Sequence, residues 1–124
     1  MIFWIALWGE GLATYAAEKL NPNAPIEDLM LSKSMMTQIN SNTDFYWKDI
    51  LAKLESRDEN DYGKYFLMSS TDKKVVNRAG YYLGYLLAKE AGKTKTIPEM
   101  VKMKPSEALA LIRQTIETLK SQKR

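Results

Sequence analysis

The first twenty residues constrain the fold most. Residues 2–20 read as one helix, with Ile5, Trp8, Leu12 and Tyr15 at spacings of three and four, and Asn21-Pro22-Asn23-Ala24-Pro25 ends it, because proline cannot continue the hydrogen-bond ladder. Apolar residues lie nearly all round this helix. Such a helix belongs in the middle of a protein, so its position at the start of the chain creates the expectation of an N-terminal partner outside these residues. Ile2, Phe3, Trp4 and Ile5 occupy consecutive helical positions about 100° apart, so some are expected to meet solvent and to make residues 1–8 a surface for self-association.

At 124 residues the chain has room for one domain with a real core. Further helices follow. Residues 26–31 read as a short one, with Met35, Met36 and Ile39 covering apolar surface nearby. Residues 44–54 carry Trp47, Ile50, Leu51 and Leu54 on one face, with Ser41 or Thr43 as cap; the charged stretch 55–64 ends that helix. After the apolar patch Tyr65, Phe66, Leu67 and Met68, the run Ser69-Ser70-Thr71-Asp72 resembles a helix start, and a long helix runs from there to Ala91 and stops at Gly92. Thr96 and Glu99 are placed as a capping box for a short helix. The last helix starts near Pro105 and continues to about Lys120, presenting Ala108, Leu109, Ile112, Ile116 and Leu119 to the core. No stretch reads as a strand, so the expected fold is an all-α domain of about five to six helices.

Composition removes most catalytic chemistry. The chain has no cysteine and no histidine, which excludes disulfides, thiolate and imidazole metal ligands, the Ser-His-Asp arrangement and the usual neutral-pH general base. Residues 89–124 hold nine basic and four acidic side chains, and the rest nine and eleven. The lysines of that basic end punctuate a loop and a short helix without interleaved reading or stacking groups, so no nucleic-acid partner is expected. The apolar run 1–7 is far shorter than the roughly 20 residues of a membrane span, and the first basic residue is Lys19, so neither a span nor a signal peptide is expected. Asp58, Glu59 and Asp61 lack the glycine and terminal glutamate of a calcium loop and read as a solvated turn.

Two constellations could carry chemistry. Glu10 is the sole charge between Met1 and Ala17, set among Phe3, Ala6, Leu7, Ala13, Thr14 and Ala17. A carboxylate so placed either opens onto solvent or is expected to pair with a cation, bind a metal or take up a proton, and Arg78 is the best-placed cation. In the run 77–85, helical geometry puts Arg78, Tyr81 and Tyr85 on one edge, while Gly80 and Gly84 leave a smooth patch where another backbone can approach.

Together, Leu7-Trp8-Gly9-Glu10-Gly11-Leu12-Ala13-Thr14-Tyr15 and Asn77-Arg78-Ala79-Gly80-Tyr81-Tyr82-Leu83-Gly84-Tyr85 resemble the downstream half of the gluzincin zinc metallopeptidases, and in particular bacterial zinc-dependent proteases of uncharacterised families. In that clan one helix bearing H-E-x-x-H supplies two zinc ligands and the general base, and a later helix bearing E-G-x-A-x-Y supplies the third ligand. The resemblance implies a helical C-terminal subdomain, Glu10 as that third ligand, Arg78 and Tyr81 as the pair holding the oxyanion, zinc in the complete protein and a peptide or protein substrate. The departure is large: without any H-E-x-x-H, this chain is expected neither to hold zinc tightly nor to hydrolyse peptides, and the remaining ligands are expected on a missing N-terminal part. Two other readings compete: a helical module whose groove, lined by Trp8, Tyr15, Tyr81 and Tyr85, holds a peptide or small apolar ligand, and a domain that oligomerises through its first helix.

Overall fold

A computed structural model gives the fold of residues 1–29, 31–67 and 72–122. Among these residues seven α-helices follow one another, α1 Phe3–Leu20, α2 Lys33–Asn40, α3 Thr43–Lys53, α4 Glu59–Phe66, α5 Ala79–Ala91, α6 Ile97–Val101 and α7 Pro105–Ser121, with a 3-10 turn at Ile26–Leu29. Among the described residues there is no strand, so the domain is all-α as the sequence predicts, and no helix of theirs is long and apolar enough to cross a membrane.

Helix α1 does lie in the middle, and this chain itself covers it. Phe3, Trp4, Leu7, Trp8, Gly11 and Tyr15 are buried. Of the four consecutive apolar positions, Phe3 and Trp4 are enclosed and Ile5 meets solvent, at 45% exposure. The start of α1 has no side-chain cap and no acidic residue in its first turn. Its free N–H groups go elsewhere: Phe3 N–H donates to the Ser56 carbonyl and Trp4 N–H to that of Leu54, both at 2.9 Å. The positive end of one helix thereby sits on the negative end of another.

Helices α1 and α5 run in the same direction and touch backbone to backbone. A Cβ on Gly11 would collide with the Gly84 carbonyl, and one on Gly84 with the Leu7 carbonyl. At Gly80 the space is taken by the Phe66 ring and the Tyr65 carbonyl, and at Gly92 by the Tyr15 ring. The smooth patch read from Gly80 and Gly84 is thus used inside the chain.

Several expectations need correction. The charged stretch 55–64 holds most of α4, whose Tyr65 and Phe66 are buried against Phe3. Asp58 caps α4 by accepting from Asn60 N–H. The cap of α3 is Asn42, with no side-chain bond, and Ser41 instead donates to the Gln38 carbonyl. Helix α5 starts at Ala79, not near Asp72; Met68 and the Ser69-Ser70-Thr71 start lie outside the described residues. The Thr96/Glu99 capping box, the stop at Gly92 and the Pro105 start are as read.

The charges of α4 are absorbed by α3. Asp49 accepts from the Tyr65 hydroxyl at 2.6 Å, pairs with Lys53 at 2.9 Å and faces Lys64 at 3.7 Å. Asp61 pairs with Lys53 and accepts from the Ser56 hydroxyl. Burial pushes the Asp49 carboxyl up, but the Tyr65 hydroxyl and the two ammonium groups outweigh it and hold the carboxyl below its ordinary range.

Two outcomes are expected in denaturant titrations. Gly84→Ala costs at least about 3 kcal/mol, because the obstacle is backbone and cannot step aside. The second concerns pH: a depressed carboxyl contributes stability that is complete above its unfolded value near 4 and is lost as pH falls through the folded value. The advantage of the natural chain over Asp49→Asn therefore shrinks as pH drops below about 4; an advantage that stays level would remove Asp49 from the account.

Candidate functional site

The candidate residues sort by the edge of α1 or α5 they occupy. Glu10 precedes Gly11 and so stands about 100° round the helix from the contact with α5. The sequence reading places it among apolar neighbours, but the carboxylate is exposed, since the small residues Gly9 and Ala13 beside it leave that edge open to water. Among the described residues it makes no ion pair. The expected pairing of Glu10 with Arg78 is therefore absent: an exposed carboxylate needs no cation, and the Arg78 guanidinium lies over the Tyr81 ring, 4.6 Å from its centroid.

Arg78 is not on the helix face the sequence gives it. It is the residue just before α5, in the left-handed region at φ 62° and ψ 24°. A non-glycine residue there costs on the order of 1–2 kcal/mol, so its surroundings must hold it. The anchor is Tyr46, fully buried on α3. Its hydroxyl donates to the Lys74 carbonyl at 3.3 Å and accepts from Val76 N–H at 3.0 Å, fixing the segment that delivers Arg78. Burial raises the Tyr46 phenol above its ordinary value, against the opposing pull of the Val76 N–H. Tyr81 is half-buried, with its ring edge-on to Phe66 at 5.5 Å, so the stack Phe66, Tyr81, Arg78 grows outward from the core.

Tyr85 lies one turn further along the same edge. Its hydroxyl donates to Glu18 Oε2 at 2.6 Å and accepts from Lys89 Nζ at 3.0 Å. Burial raises this phenol, and the hydrogen bond to Glu18 pushes the same way. Tyr81, Tyr85 and Lys89 advance at four-residue steps on α5, as Glu10, Thr14 and Glu18 do on α1. The Tyr85 and Lys89 contacts with Glu18 tie the far ends of the two strips, leaving Glu10 and Tyr81 at the near ends.

Trp8 and Tyr15 stand apart. Both are buried, Trp8 facing a cleft beside Met100 and Met103, and Tyr15 a separate one beside Gly92 and Pro98. The structure does not bring Trp8, Tyr15, Tyr81 and Tyr85 into one groove, because Trp8 and Tyr15 line separate clefts and Tyr81 and Tyr85, on one edge of α5, line neither. What the sequence reading missed is Tyr46; an aromatic residue in a helix carries no sign that its hydroxyl will clamp a run of turns some thirty residues away.

No group of three side chains suited to holding a metal ion occurs among the described residues. Compared with models of protein families, with curated proteins and with solved structures, the chain matches none of them.

Tyr46→Phe leaves the Lys74 carbonyl and the Val76 N–H without their partner. It is expected to cost about 1–3 kcal/mol in thermal or denaturant unfolding and to speed amide exchange at Val76 selectively. Unchanged exchange there would show that the segment before Arg78 holds itself.

Proposed function

We propose that this chain is the helical C-terminal part of a gluzincin-like zinc metallopeptidase and acts together with an H-E-x-x-H segment that it does not itself contain. The observation that carries this reading is Glu10, an exposed carboxylate on a helix packed against α5, at the near end of the strip whose α5 counterpart is Tyr81, with Arg78 stacked on that ring. Two glycines set the two helices at backbone contact, so the edge carrying Glu10 keeps its position relative to α5.

Zinc at a catalytic site takes about three protein ligands and keeps an open position. The residues of this chain do not meet that need, since Glu10 is one oxygen donor without companions. No step through a metal follows from this chain. Its own contribution is positional. Glu10 offers a carboxylate from a rigid helix, and Arg78 holds a fixed positive charge and a set of N–H donors beside the Tyr81 phenol. Donors pre-set in this way stabilise an oxygen that gains negative charge during acyl transfer, because they need no reorganisation when the charge develops.

The test has two parts. Calorimetric titration of this chain with zinc is expected to show no submicromolar one-to-one binding, and a tight site would reveal ligands outside this account. The product of the gene with H-E-x-x-H in frame is expected to hold one zinc. There Glu10→Gln weakens zinc by more than the roughly 10- to 100-fold that loss of an outer-shell partner costs, and Arg78→Ala lowers kcat about 100-fold with zinc retained. A gene that encodes no H-E-x-x-H in frame with this chain ends the reading.

A further inference from the structure

A cleft of about 660 Å³ opens where the turn between α2 and α3 meets α5 and the end of α7, a volume within the roughly 300–1,000 Å³ of small-molecule sites. Leu86 of α5 and Leu119 of α7 supply apolar surface, and Asn40, Asn42, Trp47 and Gln122 supply polar groups.

Trp47 points to a ligand. Its side chain is buried, at 2% exposure, and its indole N–H meets no acceptor among the described residues. No buried side-chain nitrogen or oxygen among those residues lacks a partner, so this N–H lies in the sliver of Trp47 that stays accessible, and that sliver opens on the cleft. A donor at the edge of an otherwise enclosed ring, with nothing in its own chain to bond, is placed for an acceptor from outside.

The start of α3 adds more donors. Its N-cap, Asn42, makes no side-chain bond, and the N–H groups of Thr43 and Phe45 find no acceptor among the described residues. Two further amides are each held by one end. The Tyr82 hydroxyl donates to Asn40 Oδ1 at 2.8 Å, which leaves the Asn40 NH2 to donate. Gln122 Nε2 donates to Glu90 at 3.3 Å, which leaves the Gln122 carbonyl to accept.

This mixture selects the chemistry of the ligand. Asp44 is the one charged side chain on the cleft wall among the described residues, and Glu90, behind Gln122, is paired with Lys93 at 2.8 Å. An anion only accepts, so it would leave the Gln122 carbonyl without a donor and would face Asp44. An ammonium group only donates, so it would leave the Trp47 N–H and the Asn40 NH2 unmet and would stand at the positive end of α3. A flat ring gains no stacking, since the faces of Trp47 are covered. A hydroxyl accepts and donates at once. Hydroxyls crowded round a small ring, each free to turn, suit donors and acceptors gathered in one cleft, and the C–H faces of that ring suit the two leucines.

We infer that this cleft binds a neutral polyhydroxylated molecule, a sugar, with the Trp47 N–H and the Asn40 NH2 donating to its hydroxyl oxygens and the Gln122 carbonyl accepting from one of them. The inference stands on the α2–α3–α5–α7 face and does not depend on the peptidase reading.

Nuclear magnetic resonance titration of the whole chain tests it, read at the indole N–H signals of its three tryptophans. The titrants are the neutral disaccharides maltose, cellobiose, lactose and diacetylchitobiose, with glucuronate, glucosamine and a blocked alanine dipeptide as counterparts. At least one disaccharide is expected to shift the Trp47 signal saturably while those of Trp4 and Trp8 stay in place. Asn42 and Gln122 are exposed, so Asn42→Ala and Gln122→Ala are expected to keep the melting temperature and to weaken that binding at least fivefold. A Trp47 signal that none of the four disaccharides shifts saturably overturns the inference. So does a tighter response to glucuronate, glucosamine or the blocked dipeptide, or sugar binding indifferent to both alanine variants.

Discussion

The contact of Gly11 with Gly84 is the constraint on which the rest of the fold depends. Two helices normally stand apart by the thickness of their side chains; here the Gly84 carbonyl occupies the space a Gly11 side chain would need. This approach fixes the rotation of α1, and rotation decides the fate of every other residue on it. It sends Trp4 and Trp8 toward α6 and α7, sets Phe3 under the rings of Tyr65 and Phe66, and leaves the edge with Gly9, Glu10 and Ala13 outward. A helix that is apolar all round has no preferred face of its own, so shape has to choose one for it.

That choice explains how much the sequence could tell. Where structure is local, it was legible. Gly92 ends α5, Thr96 and Glu99 cap α6 with each other, and Pro105 opens α7, because each signal acts within one helical turn. The all-α class follows from the same signals. Helix α4 was hidden, since its charges read as a solvated break until Lys53 and Asp49 on α3 supply partners for Asp61, Lys64 and Tyr65. The candidate site was legible as a choice of residues and not as an arrangement. Glu10 stood out as a lone carboxylate, yet whether it faced water depended on which edge α5 covers. Arg78 stood out as a cation near two tyrosines, yet its left-handed backbone rests on a hydroxyl contributed by α3.

Electrostatics in this domain is arranged by layer. The half-buried charges are engaged, Asp49 with Lys53 within α3 and with Lys64 of α4, Asp61 with Lys53, and Glu18 with Tyr85 and the exposed Lys89 of α5. Such pairs specify which helices meet more than they stabilise the fold, because losing water offsets much of their attraction. Glu10 on α1 and the exposed Lys102 and Lys104 at the α6–α7 junction belong to the other layer, and they lie on opposite sides of α1. A change at one edge can therefore leave the other intact.

The hydrogen bonds from Phe3 and Trp4 to the carbonyls of Ser56 and Leu54 carry a consequence for how α1 forms. Starting a helix is the unfavourable step, and this helix lacks the side-chain cap and the early acid that would ease it. Its missing acceptors sit about fifty residues away, at the end of α3. Helix α1 is thus poorly able to form alone and draws on α3 and on the glycines of α5. An all-helical protein of this length would ordinarily draw on near neighbours in sequence; this one makes its central helix depend on distant ones.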